Sequence, residues 1–126
     1  MMLGSVRQPE ILSRHLVGTK AELSLKIPSN LAYLEGHFPG FPIVPGVVQL
    51  HWAVEFAKEI FGIDSTISHS SKIKFSNVIS PSDKVYMLTL DHTPEENSYS
   101  YRYESGEKAY SSGIIHYIPI PTEENL

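Results

Sequence analysis

Residues 47–61, VVQLHWAVEFAKEIF, decide the fold, because they are the one long stretch of helical character in the chain. The run contains no Gly or Pro and is long enough for about four turns. Its polar residues His51, Glu55, Lys58 and Glu59 fall at i, i+4, i+7 and i+8, which gathers them into one narrow stripe. A helix with so thin a polar stripe is wrapped by other structure around most of its circumference. Pro45 and Gly46 precede it and Gly62 follows its last apolar residue, the usual start and stop signals.

Outward from the helix the pattern changes to alternation. Arg102 and Glu104 interleave with Tyr99, Tyr101 and Tyr103, a period-2 strand with a tyrosine face suited to a sheet surface or a dimer contact. Residues 83–92 and 108–118 read as strands on either side of it, joined to it through TPEEN and through Ser105 and Gly106. SKIKFSNVI, residues 71–79, sets Lys72 and Lys74 against Ile73 and Phe75 and is expected to be a further strand. Before the helix, residues 10–17 and 20–27 look like two strands around Gly18. Two strands, a helix and then about four strands are not a βαβ alternation. The expected class is therefore α+β, a mainly antiparallel sheet with one helix packed on it.

The chain has 126 residues, room for one domain and no second core. Its 41% hydrophobic and 19% charged residues are globular values, not those of a disordered chain. A net charge of −4 argues against nucleic acid as a general partner, since phosphate binding needs clustered Lys and Arg. The absence of Cys excludes disulfides, thiolate metal sites and a Cys nucleophile. No stretch approaches the roughly 18 apolar residues of a membrane span, and MMLGSVRQPEILSRH lacks an apolar signal region. The expectation is one soluble, cytoplasmic domain over residues 1–126, with 119–126 a flexible tail.

Chemistry is most concentrated in GHFPGFPIVPG, residues 36–46. Three Gly and three Pro share these 11 positions with Phe38, Phe41, Ile43 and Val44. Apolar anchors among residues that prescribe backbone angles make a rigid loop rather than a linker. The loop carries His37 and ends at the helix N-terminus, where free N–H groups and the positive end of the helix dipole point outward. A histidine beside backbone donors suits acid–base chemistry on a carbonyl compound. His15, His69, His92 and His116 show no metal-ligand spacing, and no metal site is expected. There is also no GxSxG, P-loop or GxGxxG.

The run GHFPGFPIVPGVVQLHWAVEFA resembles the active-site segment of the FabZ/FabA-type 3-hydroxyacyl-acyl-carrier-protein dehydratases, which have the hotdog fold. IKFSNVISPSD (73–83) is similar to the family strand that ends in a Pro-Gly-Asp turn, with Ser82 in place of Gly. SGEKAYSSG (105–113) is similar to its last hairpin. The wording VVQLHWA is closest to the dehydratase-like, ApeI-like branch of aryl-polyene gene clusters. The resemblance implies a hotdog domain, an antiparallel sheet wrapped around one central helix. It also implies removal of water from a 3-hydroxyacyl thioester to give the trans-2-enoyl product, in fatty-acid or aryl-polyene-type lipid biosynthesis. No metal or redox cofactor is implied; the substrate rides on the phosphopantetheine of acyl carrier protein.

Carried over position by position, His37 matches the catalytic histidine and Gly46 the glycine whose N–H binds the thioester oxygen. Phe38, Pro45, Val47, Gln49 and Trp52 are then candidate substrate neighbours. Trp52 otherwise belongs to the core with Phe56, and Gln49 is otherwise satisfied by loop backbone. The family's helix carboxylate lies 14 residues after the histidine, and that position is His51. Protonated His51, supported by Glu55 one turn on, would replace the carboxylate as acid. Alternatively His37 handles both protons through a water, or His51 is only part of the solvated stripe. Acyl carrier proteins are acidic, so Lys72, Lys74, Lys84 and Arg102 are the candidate carrier-binding residues. A sheet with open edges is expected to form at least a homodimer. Two other functions stay open: a hotdog thioesterase using Glu55, and a non-catalytic acyl-carrier-binding subunit.

Overall fold

The computed structural model describes residues 8–28, 43–63 and 65–119. Six strands form one antiparallel sheet: β1 (Glu10–Val17), β2 (Lys20–Lys26), β3 (Ser65–Phe75), β4 (Tyr86–Thr93), β5 (Ser98–Ser105) and β6 (Lys108–Pro119). The one α-helix among the described residues, α1, spans Gly46–Phe61, as the sequence pattern predicts. Spatial order is β1-β2-β4-β5-β6-β3, so the strands before and after the helix close the two edges of the sheet. Every neighbouring pair is antiparallel. Pro119, expected to begin the tail 119–126, instead ends β6; residues 120–126 lie outside the described residues.

Helix α1 lies on the sheet through Val48, Gln49, Trp52, Ala53, Phe56 and Ala57, all buried. These fall at i, i+1, i+4, i+5, i+8 and i+9, two adjacent rows of one helix face. Beneath them the register aligns rows of inward side chains across the strands. Leu23, Leu88, Tyr103, Ser111 and Phe75 form one row; Ala21, Leu90, Tyr101 and Gly113 form the next. Tyr99, Tyr101 and Tyr103 are all buried, so the tyrosine face is the floor under the helix. Trp52 is 1% exposed at the centre of this core. The helix stops at Gly62, whose φ of +66° suits a residue without Cβ and whose N–H returns to the Lys58 carbonyl.

The strand expected over 71–79 runs instead over Ser65–Phe75. Its first half, STISHS, carries little apolar alternation because this edge strand has no buried face to encode. Past Phe75 the chain leaves the sheet: Ser76 and Asn77 both donate to the Tyr110 carbonyl, and Ile79 accepts from Val44. TPEEN forms a 3₁₀ turn, Pro94–Glu96, closed by Asn97 in the left-handed region. No described helix is long and apolar enough to cross a membrane.

Candidate active site at the start of the helix

Among the described residues nothing caps the N-terminus of α1. Pro45 takes the N-cap position with φ −59° and ψ 150°, offers no side-chain cap, and is followed by no acidic residue in the first turn. Its carbonyl accepts from Val48 and Gln49 at 3.0 and 3.2 Å. The amides of Gly46 and Val47 are left without a backbone acceptor among the described residues. Uncapped amides at a helix start carry the positive end of the dipole. They can stabilise negative charge on a ligand oxygen.

Gly46 is crowded from β3. A Cβ built there would stand 2.6 and 2.7 Å from Cζ and Cε1 of Phe75. The Phe75 ring thus packs flush against the backbone of the first helical residue while remaining 56% exposed. Phe75 is a site neighbour that the sequence pattern did not single out. Only the tertiary fold brings it, 29 residues later, to the helix start.

Gln49 is 3% exposed and its side-chain amide is spoken for. Nε2 donates to the Val44 carbonyl at 3.0 Å, and Oε1 accepts from the Ser111 hydroxyl at 2.6 Å. Tyr103 donates its hydroxyl to the Gln49 backbone carbonyl at 2.7 Å. These three bonds tie the segment entering the helix, the first helical turn and the middle of the sheet into one rigid unit. The sequence suggested loop backbone as the partner of Gln49, and Val44 supplies it; the Ser111 and Tyr103 bonds depend on strand register and were not legible. Burial pushes the phenols of Tyr101 and Tyr103 upward, so both stay neutral O–H groups. Among the described residues the buried Tyr101 hydroxyl has no hydrogen-bond partner.

Val47, His51 and Glu55 follow one another along the exposed side of α1, and Val47 is 72% exposed. Among the described residues no hydrogen bond or ion pair joins His51 to Glu55. His37 and Phe38, with the rest of residues 29–42, lie outside the described residues. Of the basic candidates, Arg102 and Lys74 stand opposite Ser112 from either side. Lys72 and Arg102 line a cleft of about 300 Å³ together with Ser100 and Ser112. Lys84 does not line this cleft; its Nζ donates to the Tyr110 hydroxyl at 2.8 Å. Among the described residues no three His, Asp or Glu side chains are placed to hold a metal.

The chain is similar in structure to the chain solved as "The Dehydratase Heterocomplex ApeI:P from Xenorhabdus doucetiae", with a TM-score of 0.81. At 23% identity, over 87% of this chain and 97% of that one, the likeness is one of fold. A protein from Erwinia carotovora subsp. atroseptica described as uncharacterized is 31% identical, with a TM-score of 0.80 over 90% of this chain and 98% of the other. The dehydratase domain of the CurK module of curacin polyketide synthase shares the fold at 16% identity and a TM-score of 0.62. There the match takes 92% of this chain but 44% of that one. A search of the curated proteins finds no match. The six-stranded antiparallel sheet with its single helix is the hotdog arrangement of these dehydratases. The family model for ApeI dehydratases matches residues 13–114, and with the fold and the open helix start in place the chain belongs to the ApeI-like dehydratase family.

Proposed function

We propose that the protein removes water from a 3-hydroxyacyl thioester on acyl carrier protein and leaves the trans-2-enoyl thioester. The observation that carries this reading is the start of α1, where among the described residues nothing accepts from the Gly46 amide and an aromatic ring lies beside it. In the proposed cycle neutral His37 takes the C2 proton, and the thioester oxygen, gaining charge as the C2–H bond breaks, is held by the Gly46 N–H. The C3–O bond then breaks, and the hydroxyl leaves as water with a proton from His51 or back from His37. Gln49 and Trp52 act from beneath: Gln49 fixes the helix start and Trp52 fills the core. Neither needs to touch substrate. The cleft beside Lys72, Lys74 and Arg102 is the proposed approach of the acidic carrier; Lys84, bonded to Tyr110, is left out.

Purified protein is assayed with 3-hydroxyacyl carriers bearing saturated and aryl-polyenoyl chains. The expected product is the conjugated enoyl thioester, read by its absorbance, and His37→Ala is expected to lower the rate by about 10²–10⁴. Release of free acid and thiol would identify a thioesterase instead. Carrier binding without turnover would identify a non-catalytic subunit. A His37→Ala rate within about threefold of wild type would remove His37 from the mechanism, because loss of a general base costs far more.

A further inference from the structure

Strand β3 is held to β6 by a short block of regular pairing between two irregularities. The register slips between Ile67 and His69 and again between Ser71 and Lys74. Lys72, inside the second slip, has φ +53°, a conformation unfavourable for a residue with a Cβ. Between the slips His69 stands opposite His116, Ser70 opposite Ile115 and Ser71 opposite Ile114. The two imidazoles are stacked, their centroids 4.2 Å apart and their planes within 8°. A serine hydroxyl holds each ring: Ser68 Oγ lies 3.0 Å from His69 Nδ1, and Ser71 Oγ lies 3.0 Å from His116 Nε2. His69 is exposed and His116 half-buried, on the sheet face turned away from α1.

Few charges oppose the pair. On its own strand are Lys72 and Lys74; on β5 is Arg102, held by Glu104 at 3.2 Å. On β4 is Asp91, which accepts from Thr19. Glu95 and Glu96 lie in the turn leading to Ser98, the β5 partner of His116. Among the described residues no carboxylate makes a hydrogen bond or ion pair with either ring.

We propose that the His69–His116 stack is a pH-sensitive latch that holds the middle of β3 to the sheet while the rings are neutral and releases it when both are protonated. Two unit charges at this separation repel by an amount worth about fivefold in an equilibrium even when water screens them fully, and more beside protein. Acidification adds protons to imidazoles, so the latch opens as the pH falls. The two register slips are the hinges, letting the block lift without unzipping the ends of the strand. Ile73 lies within the second hinge, against Gly113, and Phe75 lies just beyond it, against Gly46. Release therefore loosens the aromatic wall at the start of α1. The latch is a property of the strand and does not rest on the reaction proposed above.

The test is amide hydrogen exchange at pH 7.5 and 5.5, corrected for the intrinsic pH dependence of exchange, on peptides covering β3, β4 and β5. Protection in β3 is expected to fall about fivefold or more at pH 5.5, with β4 and β5 changing less than about twofold. His69→Phe keeps a ring on His116 that cannot be protonated; it should retain β3 protection at pH 7.5 and lose the pH response. His116→Phe should do the same from the other strand. Unchanged β3 protection in the wild type overturns the latch, as does an equal fall in all three strands or an undiminished pH response in both Phe variants.

Discussion

At Gly46 there is space for a hydrogen and little else. Alanine there would push the Phe75 ring off the helix start, but that ring is half exposed and can swing away, so the fold should survive at a cost of about 1 kcal/mol or less. The expected functional loss is larger than the structural one, because the methyl occupies the approach to the amide. Gly46→Ala is therefore expected to remain folded by circular dichroism and to lose dehydration; a folded and fully active variant would show that this amide does not bind the thioester oxygen. Gln49 is the opposite case, a polar side chain whose bonds all stay inside the protein. Gln49→Leu strands the Ser111 hydroxyl and the Val44 carbonyl in the interior, and urea unfolding should show a loss of about 2–4 kcal/mol. His37, in a loop rich in Gly and Pro, is singled out by the sequence motif alone and lies outside the described residues. Phe75 and Ser111 were not, because nothing local to a strand says which helix turn it will meet.

Among the elements, β6 shows how a missing side chain sets packing. A Cβ on Gly113 would overlap Cδ1 of Ile73 and stand 2.9 Å from Cε2 of Tyr101, whose ring is buried and cannot swing out. Gly113→Ala should therefore cost about 1–3 kcal/mol as an overpacked position, measured by thermal or urea unfolding. Unaltered stability would mean that β3 yields at Ile73. The junction of α1 with β4 and β6 carries a pH dependence. Burial lowers the pKa of His92, outweighing the nearby Glu95, and its Nε2 lies 2.7 Å from the Tyr117 hydroxyl. The unfolded chain then binds this proton more readily than the folded one. Its stability contribution is complete above about pH 6.5 and is lost as pH falls toward the lowered native value. His92→Gln should flatten that part of the stability–pH curve; a slope identical to wild type would place the acid sensitivity elsewhere. The positions of α1, β2 and β6 were legible because each buries one face at a regular period. Strand β3 was displaced by six residues at its start because an edge strand with no buried face leaves no such record.

For the molecule as a whole, the two edges of the sheet are its unfinished business. Ile67, Ile73 and Phe75 on β3, Val47 at the helix start and Val78 just past the strand are all substantially exposed. Phe75 and Val47 lie at the candidate site and Ile67 at the far end of the same edge strand, which fits a second copy of the chain covering that side. In such a dimer His37 of one chain would face His51 of the other. His37→Ala and His51→Ala, each inactive alone, should then recover about a quarter of wild-type activity when mixed under subunit exchange, because about half of randomly paired dimers are mixed and each contains one intact site. Exchange demonstrated by size exclusion with no recovered activity would rule out a shared site.

The sequence by itself determined one helix, its buried and exposed faces, the antiparallel class and the family, because periodicity and motif spacing are local properties that survive without partners. The tertiary structure alone decided that Gln49 is locked to Ser111, that Phe75 covers Gly46, and that Lys84 bonds Tyr110 rather than lining the cleft of Lys72 and Arg102. Those facts depend on strand order and register, in which β3 crosses to lie beside β6. Register is fixed by the packing of whole faces against the helix rather than by any residue's neighbours in the chain.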